Sequence, residues 1–238
     1  MKLDLISTIK GSALEDFFPA GWDLERMDEL AGRAPERISE REDYWSEGYE
    51  PVGCESVEDL EVRMGVEIAT QVIEARAEGR QLALILPVGP MGMYRWAIDR
   101  LKKENVSCDH VWGFNMDEWS DAEGKTLPGD TPGSFQNAME DAFYDRLGEL
   151  TVPPEQRYFA TRERLKQYPE KIAALRAEGA KLVVVYGIGR ALHIAFWEPT
   201  FAAEYENAAE WKKATHRIGA RLHPLTIEQN AITSFKSR

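Results

Sequence analysis

Cysteine is scarce. Cys54 and Cys108 are the two thiols in 238 residues, too few for a disulfide framework, and neither lies in a CxxC or His-rich cluster. Both are read as buried, reduced thiols. HxE, HxH and CxxC spacings are lacking, so no metal and no other cofactor is expected. No apolar run approaches the roughly 18 residues of a membrane span. Asp4 interrupts the apolar stretch a signal peptide would need after Met1. The reading is a cytoplasmic chain with no membrane partner. Positive charge is also short: 29 Lys and Arg stand against 41 Asp and Glu, a net charge of −12. Such a surface repels phosphodiester backbones, so a nucleic-acid partner is disfavoured. A small anionic substrate stays open, because a pocket can place donors locally. Repeats and low-complexity tracts are lacking as well.

What the chain does have is enough apolar residues, 43%, to bury a core at this length. Residues 1–56 mix Trp22, Trp45, Tyr44, Phe17 and Phe18 with many charges and the breakers Pro19, Pro35, Pro51 and Gly53. The stretch is too aromatic for a disordered tail and is read as an irregular extension with short helices, packed on a main domain of residues 57–238. From Ser56 a helix–strand alternation begins. Ser56 and Asp59 suit a helix start. Leu60, Met64, Ile68 and Val72 recur every four residues, and Gly79 suits the stop. Leu82–Leu86 is a continuous apolar run, expected in a strand covered on both faces. The spacing then predicts a helix over 92–104, a strand over 110–114, and a helix from Phe135 to Leu147. A further helix near 170–178 and a strand over 182–186 follow. Helices alternating with buried strands predict an α/β domain with a mostly parallel sheet.

Ligands of open α/β sheets bind beyond the carboxyl ends of the strands. Three such ends carry unusual residues. The turn Pro87-Val88-Gly89-Pro90-Met91-Gly92 precedes a helix, whose N-terminal N–H groups suit an anion. A purely structural turn is an equal reading. Phe114-Asn115-Met116-Asp117-Glu118-Trp119 sets two carboxylates among apolar neighbours. Desolvation there raises a carboxyl pKa and makes a better general base. Gly187-Ile188-Gly189-Arg190-Ala191-Leu192-His193 brings a glycine-rich turn to a histidine, and Glu198 follows five residues on. A carboxylate at that distance can orient the imidazole.

The segments FNMDEW, TPGSF and GIGxxxHIAFWEP, in this order, resemble the glucosamine-6-phosphate deaminase/isomerase family over about residues 57–235. The resemblance implies a Rossmann-like three-layer sandwich, a homo-oligomer, and a cofactor-free aldose–ketose isomerisation of a sugar phosphate with loss of ammonia. By motif match, Asp117 takes the place of the residue that shuttles a proton between C2 and C1. His193 takes that of the ring-opening histidine, and Glu198 that of its carboxylate partner. Val88, Gly89, Met91 and Gly92 stand where the family binds the sugar phosphate, with Glu118, Gly187 and Gly189 as further substrate contacts. The departures are as specific. Ala191 replaces the family's aspartate, Leu192 its glycine, and Trp197 a small polar residue. The 87–92 turn is shortened. Ile227 stands where an arginine follows the threonine, and the family's lysine-bearing C-terminal segment has no counterpart before Arg238. These departures predict weak or altered activity on cyclic glucosamine 6-phosphate. A non-catalytic sugar-phosphate binder of the same fold is the alternative.

Overall fold

The computed structural model describes residues 45–189 and 191–236, together with Gly11, Glu25, Arg26 and Glu29. The rest of the 1–56 extension, and Arg190, lie outside the described residues. Residues 45–56 form no helix or strand, and Cys54 in this stretch is exposed rather than buried as expected, whereas Cys108 is buried.

Helix α1 (Val57–Ala77) starts at Ser56, whose Oγ accepts the Asp59 N–H at 3.0 Å, while Asp59 accepts the Glu55 N–H at 3.1 Å. One of the helix's unpaired donors is thereby satisfied, and the residue before the cap is tied back to the first turn. Gly79, at φ +65°, turns the chain out of the helix in the left-handed conformation that favours glycine. Strand β1 (Leu82–Leu86), helix α2 (Gly92–Lys103) and strand β2 (Val111–Asn115) follow. Helix α3 (Phe135–Met139) runs on through a π-turn, Glu140–Tyr144, into Asp145–Leu147. Next come β3 (Arg157–Tyr158), α4 (Arg162–Leu165), α5 (Tyr168–Ala177) and β4 (Lys181–Val184). The chain ends with a 3₁₀ turn (Pro199–Glu204), α6 (Ala208–Trp211) and α7 (Pro224–Lys236).

The four strands are all parallel, in the order β3-β2-β1-β4. Leu86 lies opposite Asn115, and Ile85 opposite Val184, so three strands finish at one edge. Leu82, Leu84, Leu86 and Val111 pack under α1, α2 and the Met139–Leu147 stretch. Ala83, Ile85, Trp112 and Phe114 face the other way, against Tyr168, Ile172 and Leu175 of α5. Apolar residues on both faces explain the continuous runs in the sequence and give three layers, an α/β fold with a parallel sheet.

The expected elements are present with shifted ends. The strand read over 182–186 stops at Val184, although the Val185 N–H still donates to Ile85 O at 3.0 Å. The helix read over 135–147 is interrupted by the π-turn. Its extra residue lets Phe143 and Tyr144 both reach the core, at 1% exposure each. Strand β3 has two residues, too few for any periodicity, and was not foreseen. Helices α1 and α2 meet at Gly65, where a Cβ would run into the Met93 carbonyl and the Trp96 Cβ. Gly65→Ala should therefore cost about 1–3 kcal/mol of stability, read as a lower denaturant midpoint. An unchanged midpoint would show that the helices can part without penalty.

Candidate active site

The chain leaves β2 at Asn115, and the Met116 N–H donates to Leu86 O at 3.0 Å, carrying the sheet one step further. Asp117 is the next residue. Its carboxyl is partly buried and has no hydrogen-bond or ion-pair partner among the described residues. Burial, and then the neighbouring charge of Glu118, push its pKa up to about 7. The group therefore changes charge close to neutral pH, the condition for a proton shuttle.

Glu118 is handled in the opposite way. Its Oε1 accepts the N–H groups of Phe135 at 2.8 Å and Trp119 at 2.9 Å, and its Oε2 accepts the Gln136 N–H at 2.9 Å. Ser134 Oγ accepts the Asn137 N–H at 3.0 Å. Three successive donors at the start of α3 are thus satisfied by side chains. Burial raises the Glu118 pKa, and these three backbone donors pull it back. Both oxygens are engaged with the chain's own backbone, which fixes the carboxylate in place.

A cavity of about 940 Å³ opens beyond the strand ends. Asp117 and Glu118 line it, with Trp119, Phe196 and Trp197 as an aromatic wall. Arg162, Arg217 and Arg221 line it as well. The expected 87–92 turn does not line this cavity. Val88 and Met91 pack on the core, and the Glu61 carboxylate stands where a side chain at Gly92 would project. A carboxylate beside the first residue of α2 supplies that helix end with a negative charge from within the chain.

His193 and Glu198 lie just behind the wall. His193 is 7% exposed and Glu198 1%. The imidazole Nδ1 is 2.9 Å from Thr226 Oγ1 and 3.8 Å from Glu198 Oε2. Glu198 Oε1 accepts the His223 N–H at 3.0 Å. Desolvation lowers the His193 pKa, Glu198 opposes this, and His223 adds to it. The ring is accordingly neutral at pH 7. Phe196 links the two halves, with ring centroids 5.4 Å from His193 and 5.6 Å from Trp119. Gly189 is needed for closeness, since any side chain there would strike the His193 ring. Gly187 faces open space. Thr226 and His223 were not among the expected site residues. The segment Leu225–Asn230 had drawn attention for Ile227, which is 48% exposed and lines the cavity, whereas its neighbour Thr226 is fully buried on His193.

No protein-family profile matches the chain. Over 137 residues it is 32% identical to a glucosamine-6-phosphate deaminase of Caenorhabditis elegans, covering 56% of this chain and 48% of that protein. It spans about half the length of this curated relative. A solved glucosamine-6-phosphate deaminase of the NagB superfamily, described as monomeric, superposes with a TM-score of 0.51 and 25% identity. That match covers 61% of this chain and 58% of the other. Both comparisons thus find the chain similar to glucosamine-6-phosphate deaminases over little more than half of its length. No helix among its described residues is long and apolar enough to cross a membrane, and none of their His, Cys, Asp or Glu groups could hold a metal.

One departure from the deaminase pattern has a direct structural consequence. Leu192, which stands where the motif resemblance implies a glycine, sits at φ +61° and is 43% exposed. A leucine pays for the left-handed conformation without burying its side chain. Leu192→Gly should raise unfolding stability by about 1 kcal/mol, because the left-handed region costs a substituted residue about that much. A loss of stability in thermal melts would contradict the strain assigned to this turn.

Proposed function

We propose that this protein moves a proton between adjacent carbons of a sugar phosphate, in an aldose–ketose isomerisation like that of the deaminases it resembles. The observation that carries the reading is the unpartnered Asp117 carboxyl at a cavity wall, with its pKa near 7. In its ionised form Asp117 takes the proton from C2 of an open-chain substrate. The electron pair left behind forms the C1–C2 double bond while the carbonyl π pair at C1 moves onto O1, which takes a proton from water, giving an enediol or enolamine. Asp117 then returns its proton to C1 as the C2 hydroxyl or amino group gives one up to water and becomes a carbonyl or ketimine, so the carboxylate ends as it began. With an amino group at C2, the resulting ketimine is hydrolysed by water to ketose and ammonia. Such a carboxylate needs the two carbons within reach at once, which a preformed wall favours.

Ring opening is the weaker half of this reading. It is assigned to His193, with Glu198 behind it. Ala191 offers no second carboxylate, and the imidazole is enclosed by Gly189, Phe196 and Thr226. Open-chain ketose phosphates are therefore better substrates than cyclic glucosamine 6-phosphate. The same enclosure favours the alternative reading, binding of a sugar phosphate without turnover.

Exchange of substrate hydrogen for deuterium separates the readings. Fructose 6-phosphate in D₂O should gain deuterium at C1 with the wild-type protein, faster than glucosamine 6-phosphate gains it at C2. Asp117→Asn should slow this exchange by about 10²–10⁴-fold, the usual share of general acid–base catalysis. No exchange above buffer by the wild type, with thermal stabilisation by the same sugars, would leave the binding role in its place.

A further inference from the structure

Of the carboxylates near the cavity, Glu118 is the one whose position is fully accounted for and whose purpose is not. It follows Asp117 directly. Its two oxygens take three backbone N–H groups at 2.8–2.9 Å, two from the first turn of α3 and one from Trp119. Helix capping alone is commonly met by a short residue just before the helix, and Ser134 already does this for Asn137. Glu118 instead reaches across 17 and 18 positions of chain to do so. Phe135 and Trp119, the residues it ties together, are also in ring contact at 5.7 Å.

We propose that Glu118 is a positioning residue of this site: it fastens the Asp117 turn to the start of α3 and keeps a fixed negative charge beside the Asp117 carboxyl. The inference rests on the proton-shuttle reading of Asp117 but concerns a group the substrate does not need to touch. Three donors in a fixed array hold a carboxylate ionised and immobile, so its field at Asp117 does not relax when a ligand enters. The effect on Asp117 is to favour the neutral acid, which acts in the same direction as burial.

Other charged or titratable groups face Asp117. Tyr94 of α2 and Tyr168 of α5 lie close enough to feel its charge, and both are held neutral far above pH 7 by burial. Arg162, Arg176, Arg217, Arg221 and His216 also line the cavity. Arg217 is committed to Glu204 at 2.7 and 2.9 Å, and Arg162 to the Glu123 carbonyl at 2.6 Å. No cation among the described residues pairs with Asp117, so the Glu118 charge is not cancelled where it matters.

The test is the titration of the Asp117 carboxyl by ¹³C NMR on the ligand-free protein, assigned by its loss in Asp117→Asn. Glu118→Gln keeps size and two of the three acceptor contacts and removes the charge. The Asp117 midpoint should fall by about one unit. In the deuterium-exchange assay, the acid limb of the pH profile should move down by the same amount while KM for fructose 6-phosphate stays put. A folded Glu118→Gln protein with an unmoved midpoint overturns the proposal. Should that variant fail to fold, Glu118→Asp decides. It keeps the charge and shortens the tether, so kcat should fall while KM is spared, and wild-type kcat would overturn the proposal. If the wild type shows no exchange at all, the function reading fails, while the NMR midpoints still decide the role of Glu118.

Discussion

A carboxyl group without a partner stands at the end of β2, and much of the surrounding structure is arranged around it. Taking a carboxylate out of water is costly, and proteins usually relieve the cost by pairing it or protonating it. Asp117 has no pair. Its pKa of about 7 against an ordinary 3.8 represents at most about 4 kcal/mol of differential interaction. The fold tolerates that cost because parallel strands, covered on both faces, deliver Asp117 to an edge where a cavity begins. Tyr94 and Tyr168 brace the strand ends there. The Tyr94 hydroxyl donates to the Pro87 carbonyl at 2.6 Å, and the Tyr168 hydroxyl lies 2.9 Å from the Asn115 carbonyl.

The site divides its acids by environment. Asp117 is left bare, Glu118 is wired to the backbone, and Glu198 is buried between a histidine ring and the N–H of His223. Three carboxylates of similar intrinsic acidity thus sit in three different environments. The histidine half is drier and more closed than the Asp117 half. Leu192 at positive φ and the turn at Ala195 and Phe196, at φ +52° and +56°, show a loop that holds its shape with residues poorly suited to it. That is the pattern of a site retained with altered side chains, consistent with limited identity to the deaminases.

Much of this architecture was legible in the sequence. The continuous run Leu82–Leu86 announced a two-faced strand, and Ser56 with Asp59 announced the start of α1. FNMDEW located the buried acids because apolar residues on either side of adjacent carboxylates leave a readable mark. Contacts made across long stretches of chain left none. Nothing in the spacing of Glu118 points to the N–H groups of Phe135 and Gln136, nor does Thr226 advertise its bond to His193. The 87–92 turn, expected on the cavity wall, is not among the residues that line this cavity. Its glycines suggest backbone approach to a ligand, whereas the group that approaches Gly92 is Glu61, from another helix. Two-residue β3 and the π-turn at Glu140–Tyr144 are set by packing, which overrides any local period.

The central claim is that Asp117 retains its proton in the folded protein to near neutrality. Linkage makes this measurable without a substrate. The unfolded chain loses the Asp117 proton near pH 3.8 and the folded chain near pH 7, so this group's contribution to stability is full below pH 3.8 and declines as pH rises to 7. Asparagine at this position has no proton to lose. The unfolding free energy of Asp117→Asn minus that of the wild type, measured by denaturant titration from pH 3 to 8, should rise between pH 4 and 7 and then level. A difference that stays flat across this range would contradict the account.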